Sequence, residues 1–213
     1  MMIPGFTQIL TCPQCGTKKE VLRYVSLNTA IQTVWSDNKI IAPMRPAISF
    51  VQKCPCCGHY YLLSRQKPEQ GNKVSFEQNE LNYKEVKEAW NQMKDIPDLT
   101  ENEKLSILIM QVWAFNDKYT RYQSKIAPRK EQTYIIGIID LLLNMDMVDD
   151  LLKAELLREA GRFKESLEVL GGYSINNPYI NKCKEYSSAS NMRPFVIFRG
   201  GNVRNNMMQK CEK

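Results

Sequence analysis

Two cysteine knuckles, CPQCG at 12–16 and CPCCG at 54–58, constrain this chain more than any other feature of it. Each Cys-x-x-Cys pair sets two thiolates on one tight turn, and the glycine that follows admits the left-handed backbone that lets amides point back at sulfur. Two such turns complete a four-sulfur shell, for which Cys12, Cys15, Cys54 and Cys57 are the expected ligands and zinc the expected ion. A closed shell leaves no position for water or substrate. The motif therefore predicts a structural zinc ribbon and argues against zinc catalysis.

The rest of the composition sets the frame around that module. A chain of 213 residues with 43% hydrophobic content has room for one larger domain beside a small one. No stretch approaches the roughly 20 apolar residues that cross a bilayer, so no membrane association is expected. The start, MMIPGFTQIL, lacks the basic flank and apolar run of a secretion signal, and the expected location is the cytoplasm. Seven cysteines, four of them in knuckles, fit a reducing compartment better than a disulfide framework, which leaves Cys183 and Cys211 as spare thiols. Residues 1–75 carry nine Lys/Arg against three acids, whereas the remainder is balanced at twenty against twenty. The net +6 is thus at the cysteine end, lowered to about +4 once four thiolates hold a divalent ion.

The pattern predicts an α+β chain: a small antiparallel zinc-ribbon domain over 1–66, a linker over 67–75, an all-helical domain over 76–199 and a disordered tail over 200–213. Between the knuckles, residues 20–35 are rich in β-branched and aromatic side chains, SDNK at 36–39 is a turn, and APMRPA at 42–47 reads as an extended loop. HYYLLSR at 59–65 is the expected last ribbon strand, and RQKPEQGNK at 65–73 has the composition of a linker. Helical spacing then begins at Phe76 and runs through Leu81, Val86, Trp90 and Met93. Thr100 and Glu103 form a capping box for the next helix. A third helix is expected from near Pro128, with the apolar run Tyr134 to Leu143 as the most enclosed part of the bundle. Two further helices should meet at Gly161, a helix should follow over 177–186, and PFVIF at 194–198 is a short strand or an apolar strap.

Other candidate sites are weaker. Cys56 lies inside the second knuckle but has no evident base beside it, and His59, the single histidine, is expected to bond near a sulfur or stay exposed. Asp146, Asp149 and Asp150 flank a helix start, where carboxylates cap. There is no phosphate loop, nucleophile elbow or paired-histidine metal motif, so no enzyme is expected and no catalytic residue is assigned. The serious alternative is nucleic-acid binding, with Arg23, Lys39, Arg45, Lys53 and Arg65 meeting phosphates and Trp35, Tyr60 and Tyr61 stacking on bases. Five dispersed cations predict only weak binding at physiological salt.

Three resemblances follow from these residues. The run Ala160-Gly161-Arg162-Phe163-Lys164-Glu165-Ser166 resembles the turn of a tetratricopeptide repeat (TPR) hairpin, with Ser166 in place of the usual alanine. The order of CPxCG knuckles, WSDNK, linker and LLREAGRFKESLEVL hairpin is similar to a family of uncharacterised bacterial zinc-ribbon proteins with TPR-like tails. That likeness implies the architecture and the four cysteine ligands, and no activity. The knuckles also look like those of rubredoxin, which makes iron the rival ion and electron transfer a minor alternative. The expected function is a non-enzymatic, zinc-binding adaptor whose helices meet a protein partner on the exposed face of the 150–170 hairpin, with Arg158 and Lys164 on that face. Metal removal is expected to unfold residues near 5–64 and leave the helices intact.

Overall fold

A computed structural model describes residues 3–26, 32–42, 49–67, 69–71, 80–122, 125–173 and 177–199. It is a mixed fold in which small antiparallel sheets near the N-terminus are followed by six helices among the described residues. Strands β1 (Ile3–Thr11) and β2 (Lys18–Ser26) flank the first knuckle, and β5 (Val51–Lys53) and β6 (Tyr60–Leu62) flank the second. Between them, β3 (Thr33–Trp35) and β4 (Ile40–Ile41) turn over the SDN residues, where Asn38 takes a left-handed φ of 61°. The loop expected over 42–47 falls, apart from Ala42, outside the described residues, as do Phe76, Cys211 and the tail.

Two strands lie away from the ribbon strands read between the knuckles. Residues Glu69–Gly71, expected within a linker, form β7 and pair with β1, so the first sheet runs β2-β1-β7. The C-terminal Val196–Arg199 forms β8 and pairs with β3, giving the order β4-β3-β8. The strand option read for PFVIF at 194–198 is the one the fold takes, and it completes a sheet begun far upstream, a pairing that no local pattern encodes.

The helices are α1 (Tyr83–Met93), α2 (Glu101–Tyr119), α3 (Arg129–Leu143), α4 (Asp150–Glu159), α5 (Phe163–Gly171) and α6 (Pro178–Ser188). The expected capping box at Thr100 is present: the Glu103 amide donates to Thr100 Oγ1 at 3.3 Å and the Thr100 amide to Glu103 Oε2 at 3.1 Å. A second box at Asn82 and Glu85 starts α1 at Tyr83, seven residues later than the apolar stripe suggested. Helix α3 is not the most enclosed: Ile135, Ile138, Ile139 and Leu142 are buried, but Gly137, Asp140 and Leu141 face outward. Its long apolar run contains one surface leucine. The fuller burial belongs to α4, where residues 154–159 are all buried.

The core is built in patches that cross from sheet to helix. Val51, Tyr60 and Leu62 of β5 and β6 share one cluster with Ala89 and Met93 of α1, Leu99 of the α1–α2 connection and Ile107 of α2. Burying side chains of this size stabilises by roughly 1.5–3 kcal/mol each, so the second knuckle is held to the helices by substantial apolar burial. Helices α2 and α3 pack around Leu108, Val112, Phe115, Ile138 and Leu142, while α4, α5 and α6 enclose Ala154, Leu170, Ile180, Cys183 and Phe195.

Candidate metal centre

The two knuckles have the same local build. After the first cysteine of each, the chain turns so that the Gly16 amide donates to the Cys12 carbonyl at 2.9 Å and the Gly58 amide to the Cys54 carbonyl at 3.0 Å. Both glycines sit at φ +72°, the left-handed conformation the sequence required of them. The Cys12 and Cys54 amides close the turns by donating to the carbonyls of Thr17 and His59.

These turns bring the four expected ligands together. The sulfurs of Cys12, Cys15, Cys54 and Cys57 all lie within 4.8 Å of one another, with Cys12 to Cys57 at 3.7 Å and Cys15 to Cys54 at 3.6 Å. A tetrahedron of metal–sulfur bonds of about 2.3 Å has edges of about 3.8 Å, so the spacing suits one thiolate-bound ion. All four are free thiols, with Cys12 and Cys54 buried and Cys15 and Cys57 exposed. The residues fit a structural metal ion. Leu10, Val21 and Tyr61 wall the inner side, and burial together with the nearby cysteines pushes the Tyr61 phenol up to about 12. The Thr17 side chain and backbone lower the Cys15 thiol to about 6.

Helix α1 holds the second knuckle through a row of polar side chains. Gln92 Nε2 donates to the Tyr60 carbonyl at 2.8 Å and meets His59 Nδ1 at 3.0 Å, while Gln92 Oε1 accepts from the Tyr60 amide at 3.2 Å. One side-chain amide thus serves the β6 backbone as a neighbouring strand would. One turn earlier Glu88 accepts from the Tyr60 hydroxyl at 2.8 Å, and Glu85 accepts from Lys53 Nζ at 2.8 Å. His59 is therefore a link between knuckle and helix. Cys56 is exposed in the turn.

Of the cations assigned to a nucleic-acid face, Lys39, Lys53 and Arg65 are engaged by the protein's own carboxylates. Lys39 pairs with Asp117 and lies 3.8 Å from Glu80, Lys53 pairs with Glu85, and Arg65 reaches Asp98 at 3.1 Å and Glu103 at 2.7 Å. The side chains of Arg23 and Arg45 lie outside the described residues. Trp35, Tyr60 and Tyr61 are all buried, so they offer no open ring for a base. Asp149 caps α4 by accepting from the Leu152 amide at 2.8 Å, and Asp150 accepts from the Tyr173 hydroxyl, as structural carboxylates do. Cys183 is a buried thiol beside Glu155, pushed up to about 12 by burial and that carboxylate.

Arg158 requires a correction. It is fully buried, pairs with Glu155 and donates to the Asn191 carbonyl, and so forms no part of an exposed face. It belongs to a buried polar junction that sequence reading missed: Asp37 of the β3–β4 turn, Asn116 and Arg121 of α2, and Glu155, Arg158 and Glu159 of α4. The available signal was in α4 itself, where Leu152, Glu155, Leu156 and Glu159 fall on one helical face and make it half acidic.

Compared with protein-family models, curated proteins and solved structures, the chain has no match. Fold and site define it as a mixed α and β protein with a four-cysteine cluster suited to a metal ion. No helix among the described residues is long and apolar enough to cross a membrane.

Proposed function

We propose that this protein is a non-enzymatic zinc-binding adaptor of the reducing cytoplasm: a zinc ribbon closed by Cys12, Cys15, Cys54 and Cys57 fixes a TPR-like helical unit that meets a protein partner. The observation that carries this reading is the joint between knuckle and helix. All four sulfurs converge on one point, and the adjoining polar groups of β5 and β6 are occupied by Glu85, Glu88 and Gln92 of α1. A site of this kind has a closed donor set, so its contribution is rigidity. Lys18, Lys39, Lys53 and Arg65 are directed at the protein's own carboxylates, which favours the adaptor over a phosphate-binding surface.

The exposed part of the 150–170 hairpin is the outer face of α5, with Lys164, Glu165 and Glu168. A partner surface there tolerates charge change without loss of fold. Elemental analysis of the purified protein should find one zinc per chain; one iron, with a thiolate charge-transfer spectrum, would favour an electron carrier. Tagged protein recovered from its native cells after nuclease treatment should retain a stoichiometric protein, and Lys164→Glu with Glu168→Lys should release it while leaving the melting temperature unchanged. Recovery of nucleic acid alone would overturn the adaptor reading.

A further inference from the structure

The junction beneath the β3–β4 turn holds more carboxyl groups than its cations neutralise. Asp37 is fully buried, and both its oxygens accept from the Arg121 guanidinium. Arg121 also donates through Nε to Asp117 at 2.6 Å, and Lys39 pairs with the same Asp117. Asp37 and Asp117 are thereby balanced by Arg121 and Lys39. One turn along α4, Arg158 donates to both oxygens of Glu155 and balances that carboxylate alone.

Glu159 is left over. It is 7% exposed, its Oε2 accepts from Asn116 Nδ2 at 3.0 Å, and its Oε1 has no hydrogen-bond partner among the described residues. The same Asn116 nitrogen donates to Asp37 Oδ2 at 3.0 Å, so one amide bridges two carboxyl groups. The groups facing Glu159 are Asp37 from the turn, Asn116 from α2, and Glu155 and Arg158 from its own helix, with the Tyr179 phenol approaching from α6. Ionised, Glu159 would add an uncompensated charge beside two carboxylates in a buried site. Burial, with Glu155 and Asp37 alongside, accordingly raises its titration well above the ordinary carboxyl range.

We propose that Glu159 is a proton-operated latch: uncharged, it holds the Asp37 turn to the ends of α2 and α4 through Asn116, and its ionisation releases that turn. What the latch controls is the β4-β3-β8 sheet. The Ser36 amide donates to the Phe195 carbonyl at 2.9 Å and the Phe195 amide to Ser36 Oγ at 2.9 Å, so release of the turn frees the approach to β8 as well. Because the folded-state titration lies above the unfolded one, the stabilisation is complete in acid below the ordinary glutamate value and is lost as pH rises through the raised one.

Hydrogen exchange of the Trp35, Ser36 and Asn38 amides, corrected for intrinsic base catalysis, tests this between pH 5 and 10. Protection in the wild type should fall with pH by up to about tenfold per unit while one proton is linked to opening. In Glu159→Gln, an uncharged isostere, it should stay level. Wild-type protection that is flat, or a decline of equal size in the variant, overturns the latch. Should Glu159→Gln fail to fold, the wild type labelled with ¹³C-glutamate provides the second reading: a protonated-carboxyl infrared band at pH 7 supports the latch, and its absence refutes it.

Discussion

Glycines 16 and 58 ask one thing of this residue type and Gly137 another. Gly16 and Gly58 both hold φ +72°, and a methyl group on either would meet nothing within 4 Å. The obstacle to alanine is therefore the left-handed backbone alone, which costs an L-residue roughly 1–2 kcal/mol. Gly137 stands mid-way along α3 on its exposed side, again with open space around it. There alanine relieves the chain of excess unfolded freedom and raises helix propensity by up to about 1 kcal/mol. Gly58→Ala should thus lower stability and weaken zinc affinity, while Gly137→Ala should raise stability and leave the metal untouched. Paired denaturant titrations with a chromophoric zinc competitor read both, and equal signs at the two positions would contradict the backbone account. At this scale the knuckles were legible because cysteine and glycine spacing is a local code. Asp37 was not, because a turn aspartate looks the same whether it faces water or an arginine 84 residues away.

Between elements, the contacts that matter are the ones that make a cap serve twice. Glu103 caps α2 with Thr100, a pairing visible in sequence, and also accepts from Arg65 in the short 3₁₀ turn after β6, a pairing that only the fold reveals. The Arg65 guanidinium, then the Thr100 and Ser64 bonds, hold the Glu103 carboxyl down to about 2. A depressed carboxyl contributes stability that is complete above its ordinary value near 4.5 and is lost as pH falls toward 2. Arg65→Gln should lose about 1 kcal/mol at neutral pH, a modest figure because the pair is partly solvated. It should also show a shallower loss of stability between pH 4.5 and 2 than the wild type. Urea midpoints at pH 7 and pH 3 measure both; parallel acid limbs would mean that the cap bonds, and not Arg65, depress Glu103. The ribbon-to-helix seam was unreadable beforehand for the same reason. Lys53 and Arg65 are cations in sequence, and what each one faces is set by tertiary packing.

For the whole molecule, the question is how far loss of the metal travels. The sequence alone suggested an independent ribbon whose unfolding leaves the helices intact. In the structure, α1 is committed to the second knuckle on two counts: Ala89 and Met93 share an apolar cluster with Val51, Tyr60 and Leu62, and Gln92 bonds the Tyr60 backbone. A small β module relies on its ion for folding free energy, so without metal this half of the contact disappears. Eleven residues of α1 have little helical stability alone. By contrast, α4, α5 and α6 enclose a separate cluster around Leu170, Ile180 and Cys183 that touches neither knuckle. Chelation should therefore strip hydrogen-exchange protection from β5, β6 and Tyr83–Met93 together, while α5 and α6 stay protected. If α1 kept the protection of α5 in the metal-free protein, the ribbon would be an appendage carried by the helices. If all helices opened at once, the metal would govern a single cooperative core. Opening confined to α1 means that metal occupancy sets whether the apolar face of Val86, Ala89 and Met93 is covered, and so makes the ion a determinant of which surface the helices present.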